Sequence, residues 1–316
     1  MNISELGEQG LIDRLAQKTA APDGDDAAVV APTPGASCLL AGTLLLEGVH
    51  FDLTYVPLKY LGYKAATAAF TDVYAMNGEP KQLTLALGLS RRFGVEQVDE
   101  LHGGVQLACE RYGVQLAGLS ASASLTGLTL GLSVRGEAPA AEVARRSGAQ
   151  PTDLVCITGD LGAAYMGLLL LEREKQVVAA NPHATPQLAE HEYIVGRYLK
   201  PEAPREAILA LRSAGVAPTA MTAVARGLAA AMLHVCRRSG VGAHLYLDKI
   251  PIAKPTFDMA DELHFDAATA ALNGGEDYEL LFTIPLALHD RVKDFGGHVV
   301  GHVVEQARGA LLIPPS

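Results

Sequence analysis

Leu83-Thr84-Leu85-Ala86-Leu87-Gly88-Leu89 places leucine at every second position. That is the period of a strand with one buried face. Upstream, Leu58, Leu61, Ala65, Ala68, Ala69 and Val73 recur at the 3.6-residue period, which predicts a helix from Leu58 to Met76. Asn77-Gly78 stops that helix, and Pro80 lies just beyond. Downstream, Val98, Leu101, Val105 and Ala108 return to helical spacing, and Leu128, Leu130, Leu132 and Val134 alternate again. Glu8 to Gln17 predicts a short opening helix, and Val29-Val30 and Cys38 to Leu46 read as buried strands. Strand and helix therefore interleave, and the class is mixed α/β.

The stretch Ala138 to Gly148 is the best linker, giving an N-terminal domain over 1–138 and a C-terminal domain over 139–316. In the second domain a strand is expected at Leu154 to Thr158. It turns at Gly159-Asp160-Leu161-Gly162 into a helix over Ala163 to Leu171. Residues 172–203 are polar with three prolines and read as a surface excursion containing a helix. Helices follow at Ala207 to Leu211, Leu228 to Cys236 and Leu286 to Phe295. Strands are expected around Leu245 to Leu247, Tyr278 to Ile284 and His298 to Val304.

The 316 residues suffice for two domains. Hydrophobic content of 49% with 19% charge is that of a globular chain. The 25 basic against 35 acidic residues, net −10, argue against nucleic acid as a partner. No signal-peptide pattern opens the sequence, and the longest apolar run, Leu161 to Leu171, is bounded by Asp160 and Glu172. No membrane association is expected. Cys38, Cys109, Cys156 and Cys236 are far apart with no CxxC pair, so reduced thiols and a cytoplasmic location are expected.

Several stretches carry candidate chemistry. Gly24-Asp25-Asp26-Ala27-Ala28-Val29-Val30 sets two carboxylates at the head of an apolar run. They either cap a turn or offer hard oxygen ligands to Mg²⁺ on nucleotide phosphates. Asp72 falls near the C-terminal end of its helix, where the macrodipole disfavours a carboxylate. It is either solvated or held there by a metal. Gly159 to Gly162 opens a helix and could cradle a phosphate through backbone N–H groups. Asn273-Gly274-Gly275-Glu276-Asp277-Tyr278-Glu279-Leu280 clusters charge in a tight loop, whose carboxylates face either water or a ligand. His50 reads as a hydrogen-bonded histidine near a strand end or as a ligand contact. No GxxxxGK[ST] and no HExxH occurs, and Gly118-Leu119-Ser120-Ala121-Ser122 lacks the last glycine of a nucleophile elbow. P-loop, zinc-hydrolase and triad chemistry are thus unsupported.

Taken in order, these stretches resemble the bacterial thiamine-phosphate kinase family, of the aminoimidazole ribonucleotide synthetase-like superfamily. The similarity rests on Gly7-Glu8-Gln9-Gly10-Leu11-Ile12, Gly24 to Ala28, Glu47-Gly48-Val49-His50-Phe51 and Thr71-Asp72-Val73-Tyr74-Ala75-Met76-Asn77-Gly78. It continues through Arg146-Ser147-Gly148-Ala149, Thr158 to Gly162 and Asn273 to Leu280. The resemblance implies a homodimer of two-domain α/β chains that transfers the γ-phosphoryl group of ATP to thiamine phosphate with Mg²⁺. It implies Asp25, Asp26 and Asp72 as metal ligands and Gly24 and Gly118 beside the nucleotide. His50, Glu276 and Tyr278 are implied on the thiamine-phosphate side.

The chain departs from the family pattern at four aspartates. Thr43 stands in place of one and Ser120 of another, while Ala223 and Arg226 replace two in a single motif. The family's C-terminal Gly-Trp segment is missing, and the chain has no Trp. Three functions follow as expectations: a catalytically impaired homologue that binds nucleotide or thiamine phosphate in a regulatory role, a scaffold, or an ATP-dependent enzyme with a rebuilt site. Arg226 is expected either to pair with Asp25, Asp26 or Asp72 in place of a metal, or to lie exposed.

Overall fold

The computed structural model describes Gly7, Gly10, Leu11, Arg14, Leu15 and residues 30–315. Leu11 and Leu15 are helical and buried, within the span expected for the opening helix. Two compact units divide the chain, Met1–Val73 with Gly78–Ala141, and Tyr74–Asn77 with Glu142–Ser316.

The first unit holds a four-stranded sheet in the order β1-β4-β2-β3. Its strands are β1 (Ala36–Leu46), β2 (Glu79–Leu89), β3 (Gln115–Ala123) and β4 (Leu128–Pro139). β4 lies antiparallel between β1 and β2, and β3 runs parallel to β2. Two helices, α1 (Leu58–Tyr74) and α2 (Val95–Tyr112), connect the strands. The alternating leucines of β2 and β4 are buried, and α1 ends three residues before Asn77, whose φ of 57° breaks the helix. β1 departs from the buried strand expected. It is an edge strand with one open face, where Leu40 is 78% and Leu44 57% exposed. Val30 is exposed and outside any strand, and Val29 lies outside the described residues.

Residues 61–71 of α1 are buried all round, Lys64, Thr67 and Thr71 included. Small residues make that possible. A Cβ on Gly62 would lie 2.0 Å from the Leu101 carbonyl oxygen, and one on Gly104 would lie 1.9 Å from that of Lys59. The α1 and α2 backbones therefore touch. Gly104→Ala should destabilise the first unit by about 1–3 kcal/mol through overpacking. Neighbouring Gly103 has nothing within 4 Å of an added Cβ, so Gly103→Ala should stabilise by roughly 0.5–1 kcal/mol through helix propensity alone. Chemical unfolding of the two variants separates these opposite signs.

Near the end of β4 the Glu137 carboxylate is 9% exposed. It accepts the Thr33 hydroxyl, the Thr33 N–H at 3.2 Å and the Arg135 guanidinium. The Thr33 hydroxyl, with its N–H and Arg135 adding, pulls Glu137 down to about 2. A depressed carboxylate contributes stability above its unfolded value of about 4.3. That contribution is lost as pH falls through the folded value. The first unit should therefore lose stability between about pH 4.5 and 2, and Glu137→Gln should flatten that slope in acid-unfolding curves.

The second unit holds a six-stranded sheet in the order β10-β7-β9-β5-β8-β6. The strands are β5 (Leu154–Ile157), β6 (Ala220–Val224), β7 (Val241–Tyr246), β8 (Glu279–Ile284), β9 (His298–Glu305) and β10 (Ala310–Ile313). All pairings are antiparallel except β10 with β7. Helix α3 (Ala163–Ala180) is nine residues longer than its apolar period predicts, because its second half is polar and largely uncovered. The remaining helices are α4 (Glu192–Leu199), α5 (Arg205–Ser213), α6 (Leu228–Ser239), α7 (Lys254–Glu262) and α8 (Ala267–Asn273), with a 3-10 helix at Leu286–Phe295. Val155, Ile157, Val224, Leu228, Val235, Leu281 and Val300 form its main core. Met166, Leu170, Ile194 and Met259 form a second cluster with α3 and α4. No described helix is long and apolar enough to cross a membrane.

Candidate functional site

In the second unit the chemistry gathers where β5 hands over to α3. Thr158-Gly159-Asp160-Leu161-Gly162 turns there with φ of 55° at Gly159 and 86° at Gly162, a region glycine enters freely. A Cβ at Gly159 would lie 2.3 Å from the Glu279 carboxylate, so space as well as φ requires glycine. The N-terminus of α3 is already filled. The Asp277 carboxylate accepts the Gly162 N–H at 2.8 Å and the Ala164 N–H at 3.1 Å. The Leu161 N–H bonds Pro251 O at 2.9 Å. The phosphate cradle read from Gly159 to Gly162 is thus occupied by the chain's own acceptors, which satisfy the helix end.

Around this turn sits a partly buried charge network. Arg197, on α4, donates from Nη1 to Glu279 Oε1 at 3.1 Å and from Nη2 to the Asp160 carbonyl at 2.9 Å. It also lies 3.9 Å from Asp277 Oδ1. Thr158 donates to Glu279 Oε2 at 2.6 Å and accepts the Leu280 N–H at 2.9 Å. Tyr193 donates to Asp160 Oδ2 at 2.5 Å, while Asp160 Oδ1 is buried without a partner. Two carboxylates, those of Asp277 and Glu279, therefore share one guanidinium. Burial pushes Asp277 up to about 6, against the pull of the Gly162 N–H and Arg197. Burial, with Asp160 adding, likewise raises the Tyr193 phenol. A cleft of about 800 Å³ opens beside the turn, lined by Asp160, Lys249, Pro251, Lys293 and His298 among others.

The loop that carries Asp277 is strained. Glu276 and Tyr278 have φ of 61° and 55°, left-handed values uncommon for residues other than glycine. The Glu276 N–H bonds Ala225 O at 3.0 Å, and a Cβ on Gly275 would lie 2.7 Å from the same oxygen. This seats the 273–278 loop on the turn after β6. Glu276 is half-buried and Tyr278 buried. Ala223 lies opposite Leu280 in the β6–β8 ladder and is half-buried. Arg226 is exposed, and among the described residues it makes no hydrogen bond and no ion pair. The structure thus brings Ala223, Arg226, Glu276 and Tyr278 to one end of the second sheet.

In the first unit, among the described residues, Thr43 and Ser120 lie apart. Thr43, opposite Leu132 on β1, shares the helix-covered face with buried Leu39 and Leu45. Ser120, opposite Ala86 on β3, faces the open side. Gly118 shares that side, its missing Cβ 3.2 Å from Thr84 Cγ2. β1 and β3 are the two edges of the sheet, about 14 Å apart at the usual strand spacing. Asp72 is half-buried on α1. His50 is exposed, and its Nδ1 accepts the Leu46 N–H at 3.1 Å, as a hydrogen-bonded turn histidine does. Glu47 accepts the Leu128 N–H at 2.7 Å and pairs with Arg92, closing the end of the sheet. Gly24, Asp25 and Asp26 lie outside the described residues.

Among the described residues no three His, Cys, Asp or Glu side chains come together as a metal site. Thr43 and Ser120 offer neutral hydroxyls and Arg226 a cation. These groups do not suit Mg²⁺, which takes carboxylates and water. The sequence singled out the 273–280 loop but not Arg197 or Tyr193. Both lie in the polar excursion, where only the fold reveals burial.

Residues 24–138 match the family described as AIR synthase related protein, N-terminal domain. The thiamine-monophosphate kinase of Synechococcus elongatus is 32% identical over 288 residues, 90% of this chain and 83% of the relative. That of Aquifex aeolicus is 33% identical over 287 residues, 90% of this chain and 88% of the relative. Among solved structures, the Stenotrophomonas maltophilia thiamine-monophosphate kinase superposes with a TM-score of 0.79 at 28% identity, covering 96% and 95% of the two chains. A structure of AaThiL complexed with AMPPCP and TMP gives 0.76 at 29%, covering 99% and 95%. The Escherichia coli hydrogenase maturation protein HypE, at 17% identity and 0.76, shares the fold. The chain belongs to the thiamine-monophosphate kinase family.

Proposed function

We propose that this chain is a thiamine-phosphate kinase homologue with impaired catalysis, which binds ATP and thiamine phosphate and turns them over slowly. One observation carries the reading. The frame of the family is kept, while Thr43, Ser120, Ala223 and Arg226 stand where the family pattern has aspartate. Phosphoryl transfer depends on positioning and on charge neutralisation by metal ions, so these losses strike the chemistry and spare the fold. Removing even an outer partner of a metal ligand costs about 10–100-fold in metal affinity or activity. Thr43 and Ser120 sit on opposite faces and opposite edges of their sheet, so their effects should combine more nearly independently than those of neighbours.

Asp25, Asp26 and Asp72 are the residues left to hold Mg²⁺. Gly24 and Gly118 lie on the nucleotide side and His50, Glu276 and Tyr278 on the thiamine-phosphate side. Leu40 and Leu44, exposed on the open face of the first sheet, are the apolar side chains available there to the homodimer that the resemblance implies. Calorimetry with ATP, with and without Mg²⁺ and thiamine phosphate, tests the reading. Saturable binding of ATP and thiamine phosphate is expected. Absence of both heats would leave only a scaffold and overturn it.

A further inference from the structure

On the second sheet, at the far side from the loops just described, His244 of β7 lies directly opposite His302 of β9 in an antiparallel ladder. Residues so paired project to the same face, and the two ring centroids are 5.3 Å apart with planes at 78°. The strands approach closely because residue 301 is glycine; a Cβ there would lie 2.1 Å from the His244 carbonyl oxygen. Tyr246, two residues from His244 and so on the same face, stacks on His302 at 5.8 Å. Its hydroxyl lies 3.0 Å from His302 Nδ1. His244 is 8% exposed, and its Nε2 is buried with no hydrogen-bond partner. An orphaned buried nitrogen costs free energy unless something takes it up.

We propose that His244 and His302 form a two-imidazole site for a borderline transition metal ion of the Zn²⁺ or Cu²⁺ class, with water completing the coordination. Imidazole is the natural ligand of these ions. Two imidazoles on one ion at about 2.0–2.1 Å with a tetrahedral angle hold their centroids about 5.2 Å apart. The observed centroid separation of 5.3 Å matches that value. Tyr246 supplies the outer partner that metal-bound histidines use; with His302 Nδ1–H donating to the phenol oxygen, the Nε2 lone pair is left for the ion. Burial, then His244 and Arg308, hold His302 below its ordinary value. The charge of Arg308 opposes a bound cation and keeps the affinity modest. Mg²⁺, a hard ion that takes oxygen ligands, is not a candidate, so the site is independent of the nucleotide chemistry proposed above.

Titrating the untagged full chain with Zn²⁺ and with Cu²⁺ by calorimetry tests the site. One equivalent should bind, and Cu²⁺ should show nitrogen hyperfine splitting in its electron paramagnetic resonance spectrum. His244→Gln and His302→Gln should each weaken binding at least about 10-fold, and Tyr246→Phe by about 10-fold or more, while Arg308→Gln should tighten it. His302 is partly exposed, so its variant keeps the test decisive if His244→Gln does not fold. Wild-type affinity in a folded His302→Gln variant, or no bound equivalent in the wild type, would overturn the proposal.

Discussion

Replacing Arg197 by methionine should cost the chain about 3–5 kcal/mol of stability, the usual effect of removing one partner from a buried ion pair. Its side chain is 18% exposed, and the Asp277 and Glu279 side chains it serves are 0% and 15% exposed. Without the guanidinium, two carboxylates lose their only buried cation among the described residues, and the Asp160 carbonyl loses a donor. Methionine keeps most of the volume, so a cavity is not the main cost. The pH dependence identifies the mechanism. Asp277 stands at about 6 in the fold and about 3.9 unfolded. A raised carboxylate costs stability in its charged form, so stability falls as pH rises from about 4 through about 6. Loss of Arg197 raises Asp277 further. The deficit of Arg197→Met should therefore shrink as pH falls from 7 to 5 in denaturant unfolding. A deficit constant across that range would assign the role of Arg197 to packing. Arg197→Lys should recover only part, because one ammonium cannot reach both a carboxylate and a carbonyl in the fork geometry of arginine.

The second large effect runs in the opposite direction. Restoring aspartate at all four departed positions (Thr43→Asp, Ser120→Asp, Ala223→Asp and Arg226→Asp together) should raise Mg²⁺-dependent formation of thiamine diphosphate by at least about 100-fold. That is the value of one or two recovered metal partners, since groups acting as a unit do not contribute independently. Ser120 and Arg226 are exposed, so an aspartate is tolerated at both. Thr43 and Ala223 are half-buried, and a carboxylate without its ion is destabilising there. The quadruple variant should accordingly gain more thermal stability from Mg²⁺ than the natural chain does. Product assay and thermal unfolding with and without Mg²⁺ measure the two halves of this expectation.

Much of the fold is legible because burial on one face writes a period into the sequence. The leucines of β2 and β4 and the helical spacing of α1 each place an element within a few residues of where it lies. Where burial differs, the signal fails. β6, Ala-Met-Thr-Ala-Val, is buried on nearly every residue and so does not alternate. β10 is a four-residue edge strand, largely exposed, and carries no pattern either. The open face of β1 keeps its leucines, so composition suggests burial that the sheet does not provide.

The site divides in the same way. The clustered charge of Asn273 to Leu280 is visible in one dimension. That Asp277 turns inward to cap α3 is a tertiary fact. Arg197 and Tyr193 meet Asp160 and Glu279 only because α4 folds back onto the β5–α3 turn. His244 and His302 are 58 positions apart in the chain, and only strand register makes them neighbours.

In the proposed reading the fold persists while its phosphoryl-transfer chemistry has been dismantled. The direct measurement is single-turnover formation of thiamine diphosphate from ATP and thiamine phosphate at saturating Mg²⁺, beside the Aquifex aeolicus relative. A rate constant lower by about 10⁴-fold or more, equivalent to about 5 kcal/mol of barrier, is predicted. A rate within tenfold of the relative would contradict the account and mean that Asp25, Asp26 and Asp72 serve a rebuilt but competent site.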